Sequence, residues 1–189
     1  MATGRKQLIT AFFVAAAMVF HATFATAQVR PARGRSLSYS FHVGSAHPLG
    51  DLDSLSDANI HVDIDWTYRV GDLTTGKHLN VRAFLGLNQF TAEPVVTFPH
   101  PRFLNLSLNA QLVTAASATG LRGYIEAGPG IYWPKTGSSR AGFNVGLGGQ
   151  IPVGAATGPF ALEFGLDLHQ VQTKPVTRFS TVQLGVLFR

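Results

Sequence analysis

From Leu37 to the end of the chain, apolar residues recur at every second position in one segment after another. In NIHVDIDWTYRV (Asn59–Val70), Ile60, Val62, Ile64, Trp66, Tyr68 and Val70 alternate with His61, Asp63, Asp65, Thr67 and Arg69. Successive side chains of an extended strand point to opposite faces, so the alternation predicts a β-strand with one apolar and one polar face. The same period runs through LSYSFHV (Leu37–Val43), HLNVRAFLGL (His78–Leu87), FLNLSLNAQL (Phe103–Leu112) and LRGYIEAGPGIYW (Leu121–Trp133). It continues in AGFNVGLGGQIPV (Ala141–Val153), FALEFGLDLHQ (Phe160–Gln170) and TVQLGVLFR (Thr181–Arg189). No helical period competes with it in this part of the chain. Eight strands are predicted.

The connectors are rich in turn residues: GDLTTGK (Gly71–Lys77), SATG (Ser117–Gly120), PKTGSS (Pro134–Ser139) and GAATGP (Gly154–Pro159). Longer connections, at 44–57 and 92–101, belong with those at 134–139 and 173–177 on one side of an antiparallel array. Both ends of the array then lie on the other side.

Strict alternation suits two opposite objects. A soluble lipocalin-like barrel buries the apolar row and wets the polar one, whereas an outer-membrane barrel turns the apolar row to lipid. The composition of the polar row separates them. A water-facing surface is about a quarter or more charged, yet this row is mostly Ser, Asn, Gln and Gly, and charged residues make up only 13% of the chain. Lys77, Lys135 and Lys174 all fall in turns. The apolar rows carry no charge over segments of about ten residues, enough to cross a bilayer as tilted strands. Trp66, Tyr68 and Trp133 near segment ends suit an interfacial aromatic girdle. The expected fold is an all-β, eight-stranded antiparallel up-and-down transmembrane β-barrel occupying 36–189.

The N-terminus has a different pattern. Arg5 and Lys6 precede the apolar block Leu8–Phe20, and HATFATA (His21–Ala27) ends in small residues, as a cleaved secretory signal peptide does. This assigns 1–27 to a signal peptide and 28–35 to a short basic periplasmic tail. Losing Arg5 and Lys6 lowers the formal charge from +5 to about +3. The Arg30, Arg33 and Arg35 cluster reads as a solvated tail of an exported protein, and no nucleic-acid partner is expected. With no cysteine in the chain, disulfides, thiol catalysis and cysteine metal sites are excluded.

The segments GPGIYW, GFNVGLGGQIPV and ALEFGLDLHQV and the ending TVQLGVLFR resemble the small OmpA/OmpX-type outer-membrane β-barrel domain family. The resemblance covers essentially all of 36–189. It implies a Gram-negative outer-membrane protein, inserted by the barrel-assembly machinery, with outer-membrane lipid and lipopolysaccharide as its surroundings. Family members usually end in an aromatic residue; here Phe188 is penultimate and Arg189 follows.

Candidate chemistry is sparse. GDLTTGKH (Gly71–His78) nearly spells a phosphate-binding loop, but His78 replaces the required hydroxyl and a strand follows where the motif needs a helix. GLGGQI fails as a dinucleotide fingerprint because Ile151 stands at the third glycine. His61, Asp63 and Asp65 could approach a metal only with help from other strands, since alternate residues of a strand lie roughly 6.5–7 Å apart. The simpler account of the polar row is a charge network filling a narrow barrel, where buried charges must pair. Asp63, Asp65, Glu126, Glu163 and Asp167 are its predicted acids, with Arg69, Arg82, Arg122 and Arg140 as its bases. The short turn after Val70 places Asp65 opposite Arg82 or beside it.

The expected role is therefore structural or surface-interacting, without catalysis, metal or cofactor, and without general porin activity; the extracellular ligand is not specified. Two alternatives stand beside it: a lipid A-modifying outer-membrane enzyme and a soluble periplasmic lipocalin-like carrier. The enzyme would draw on His42 with Ser40, or on His47, Asp51 and Ser54.

Overall fold

The computed structural model describes residues 30–31, 37–53, 56–73, 76–92, 101–154 and 158–189. The proposed signal peptide, most of the tail and Ser54 lie outside the described residues. Eight long strands form the body: β1 (Leu37–Leu49), β2 (Asn59–Asp72), β3 (His78–Gln89) and β4 (Arg102–Val113), then β5 (Arg122–Pro134), β6 (Arg140–Pro152), β7 (Phe160–Val171) and β8 (Thr177–Phe188). Each pairs antiparallel with its neighbours in sequence, and β8 returns to pair with β1, from Phe188 opposite Tyr39 to Arg178 opposite Leu49. The sheet is closed, so no long strand is left with an unpaired edge. Two-residue bridges join Arg30–Pro31 to Gly71–Asp72, and Ser56–Asp57 to Thr91–Ala92.

The faces follow the alternation. Phe41, Val43, Ile64, Leu106, Leu108, Phe164 and Leu184 are exposed, whereas Ser40, His42, Asp65, Ser107 and Asn109 on the intervening positions are buried. An exposed apolar belt around a buried polar interior rules out the lipocalin-like arrangement, which needs the reverse. Such a belt meets its solvent in hydrocarbon.

One boundary differs from the sequence expectation. The alternation predicts the first loop at 44–57, but β1 continues to Leu49 because Gly44–Leu49 keep pairing with β8. Gly44 permits that pairing: a Cβ there would run into the Val182 carbonyl oxygen of β8. A 3₁₀ turn at Gly50–Leu52 follows.

The two ends of the barrel are filled differently. At the loop end, Phe90, Phe103, Tyr132, Val171, Phe179 and Ala46 form a buried apolar cluster. Phe103 stacks on Phe179 with centroids 5.9 Å apart, and Phe90 meets Phe179 edge-on at 5.4 Å. At the end holding the chain termini, His78, Arg69 and Arg122 stand beside buried Val113, Ala161 and Leu187 on the inward positions.

Candidate functional site: the polar interior

Between these ends lies a band of buried polar side chains, each delivered by the inward parity of its strand. Its centre is Arg82 on β3, only 2% exposed. The β2–β3 register sets Asp65 opposite Phe84 and Thr67 opposite Arg82, so Asp65 and Arg82 are one inward position apart. Arg82 Nη2 pairs with Asp65 Oδ2 and also reaches Glu163 Oε1 at 2.9 Å, while Nη1 reaches Glu126 Oε2 at 3.1 Å. One guanidinium from β3 therefore joins carboxylates of β2, β5 and β7. Tyr124 lies under it, the ring centroid 5.6 Å from Arg82 Cζ.

Histidines supply the rest of the polar contact. His42 Nδ1 lies 2.6 Å from Asp63 Oδ1 and 3.1 Å from Asp65 Oδ2, and Nε2 faces Glu163 Oε1 at 3.5 Å. His61 Nε2 sits 2.6 Å from Asp63 Oδ2 and 2.7 Å from Gln183 Oε1. Gln183 Nε2 donates to Asp167 Oδ2 at 3.1 Å. Amides complete the belt: Asn109 and Gln111 donate to Glu126, and Gln150 donates to Glu163. His169 stacks on Phe179 at 4.5 Å and meets the Tyr132 hydroxyl at 3.0 Å, linking the polar band to the aromatic cluster. The space enclosed by Asp65, Arg82, Phe84, Glu126 and Asp167 has no room for a water molecule.

Six of the nine sequence-designated charges thus meet inside: Asp63, Asp65, Arg82, Glu126, Glu163 and Asp167. The other three do not join them. Arg140 is exposed at the first residue of β6, where inward parity points over the open loop-end rim. Arg69 is half-buried near the termini end and pairs with Asp72 through both Nε and Nη2. Arg122, at the start of β5, turns to His78 Nδ1 at 3.5 Å. Parity assigned these arginines to the inner face, but their places at strand ends keep them out of the dry band.

His42, His61, His169 and Gln183 were not in the designated set. The signal was available for each, since all stand on inward positions of alternating strands. What parity does not reveal is which strands face each other across the lumen.

His42, Asp63 and Asp65 also bring ligand-type atoms within 4.8 Å of one another. His42 Nδ1, the Asp63 carboxylate and Asp65 Oδ2 already engage one another, His61, Ser40 and Arg82, whereas His42 Nε2 and Asp65 Oδ1 are buried without a hydrogen-bond partner. The catalytic candidates fare similarly. Ser40 donates to Asp65 at 2.9 Å and His42 to the carboxylates, deep in the interior and away from lipid. His47, a candidate named from the sequence, shares the outward face of β1 near the loop end with Ser45, which sequence reading overlooked, and their Nε2 and Oγ lie 2.7 Å apart. Among the described residues, no carboxylate lies within ion-pair distance of His47.

Structural comparison places this barrel among known outer-membrane ones. The chain is similar to Neisserial surface protein A, with 14% identity, a TM-score of 0.55, and coverage of 82% of this chain and 99% of that one. It is also similar to Ail, the attachment invasion locus protein of Yersinia pestis, solved in complex with the heparin analogue sucrose octasulfate. There the identity is 14%, the TM-score 0.53, and the coverage 82% and 96%. No protein-family model matches the chain, and no curated protein matches it. The shared feature is the fold, that of the small OmpA/OmpX-type outer-membrane barrels.

Proposed function

We propose that the chain is an outer-membrane protein whose barrel serves a structural or surface-interaction role and does not conduct solutes. The observation that carries this reading is the interior itself: Arg82 joins three carboxylates across the lumen, and the space lined by Asp65, Arg82, Glu126 and Asp167 has no room for a water molecule. The exposed apolar belt supports a place in lipid, and the aromatic cluster supports closure at the loop end. Exposed Arg102, Lys135, Arg140 and Lys174 at the loop end offer cations to the phosphates of lipopolysaccharide. Insertion by the barrel-assembly machinery belongs to the same reading. In planar bilayers the purified protein should give little or no stable conductance; reproducible large channels would overturn the proposal.

The Ser45–His47 contact is the one observation that favours an enzyme acting on lipid A, because it sets a hydroxyl beside a base on the outward face. A strand pair without an orienting acid is more simply an interfacial hydrogen bond. Ser45→Ala should leave the acyl pattern of lipid A unchanged in cells carrying the variant. A loss of deacylated or transacylated lipid A on that substitution would favour the enzyme instead.

A further inference from the structure

The termini end of the barrel collects positive charge that the interior network does not use. Arg122 opens β5, and its cross-strand partner on β6 is Gln150. Arg189, just beyond β8, reaches Gln150 Oε1 with Nη2 at 3.5 Å, while the Arg122 guanidinium turns to His78 Nδ1 at 3.5 Å, so both arginines flank Gln150. His78, buried at the start of β3, stands within electrostatic reach of Arg69, Arg122 and Arg189 and of a single nearby carboxylate, Asp72. Arg69 already holds that carboxylate. Gln150 turns its amide inward to Glu163, which is in turn held by Arg82. Among the described residues, Arg122 and Arg189 therefore lack an ion-pair partner.

Arg122 and Arg189 lie within electrostatic reach of each other, and like charges repel the more strongly where partial burial reduces screening. Consistent with this, burial and the neighbouring Arg122 lower the Arg189 guanidinium from its ordinary pKa, against an opposing pull from Glu163. Guanidinium forks match the geometry of phosphate oxygens, each able to donate two parallel hydrogen bonds. Arg122 is half-buried and Arg189 exposed, so the recess is open to the aqueous side.

We propose that Arg122 and Arg189, with His78 and Gln150 as neighbours, form an anion-binding recess at the termini-side mouth of the barrel, selective for a phosphate group. The phosphate arrives free or as the headgroup of a lipid in the adjacent leaflet. This site is separate from the loop-end cations and does not depend on the barrel being closed to solutes.

The test uses the full barrel folded in maltoside micelles, which contain no phosphate, and titrates it calorimetrically with inorganic phosphate at constant ionic strength. A second arm dopes the micelles with phosphatidylglycerol and follows its ³¹P line. Saturable one-to-one binding is expected in at least one arm, and the responding arm identifies the source. Arg122→Gln with Arg189→Gln should weaken it about tenfold or more, from the loss of two charge-assisted contacts. Arg178→Gln at the opposite end, where the guanidinium is held by Gln170, should leave it unchanged. Retained heat-modifiable gel mobility checks that each variant is folded. Absence of saturable binding in both arms would overturn the proposal. So would equal competition by chloride at matched ionic strength, or equal weakening by Arg178→Gln.

Discussion

Arg82 carries more of the interior than its hairpin alone would suggest. Its pairing with Asp65 follows from the short β2–β3 turn and was legible in the sequence, because register in a hairpin is set by the turn. Its contacts with Glu126 and Glu163 were not legible, since they cross the lumen between strands that are not neighbours and depend on how the sheet curls. Removing one partner of a buried ion pair leaves the others uncompensated. Arg82→Leu should accordingly destabilise the barrel by about 3–5 kcal/mol, read from urea unfolding in lipid vesicles. Asp65→Asn combined with Arg82→Gln should recover only part of that loss, because Glu126 and Glu163 would still face each other without a cation. Strictly additive effects of Asp65 and Arg82 substitutions would contradict the shared-guanidinium arrangement. The three misplaced arginines teach the complementary lesson: parity fixes a face, but depth along the strand decides whether that face is dry.

At the scale of elements, the alternating period identified all eight long strands, because side-chain period two is imposed by the pleat wherever the two faces meet different media. The end of β1 was less legible. Gly44, Pro48 and Gly50 read locally as turn signals, whereas the structure keeps Gly44–Leu49 in register with β8. Tertiary pairing overrides local propensity here, as it often does in strands. Gly44 has a specific place in that seam, since any side chain would meet the Val182 carbonyl. Gly44→Ala should cost about 1–3 kcal/mol by forcing the two closing strands apart. Thermal or urea unfolding in vesicles would show this, and a neutral result would mean that the β1–β8 seam is looser than the register indicates.

For the whole molecule, the central claim is the inside-outside assignment: apolar rows to lipid, polar rows to a filled lumen. Closure by an aromatic cluster at one end, an acid-rich band around Arg82 in the middle and arginines at the other mouth all presuppose it. The sequence carried the assignment through the poverty of charge in its polar row. It could not carry the asymmetry of the two ends, which arises only when the loop-end residues of β1, β4, β5, β7 and β8 converge with Phe90. The absence of native cysteine allows a direct test, with single nitroxide labels placed at each position from Leu104 to Asn109 of β4 in lipid vesicles. High oxygen accessibility is expected at Leu104, Leu106 and Leu108, which are exposed, and low accessibility at Asn105, Ser107 and Asn109, which are buried. The opposite phase, or no alternation at all, would contradict the inside-outside assignment.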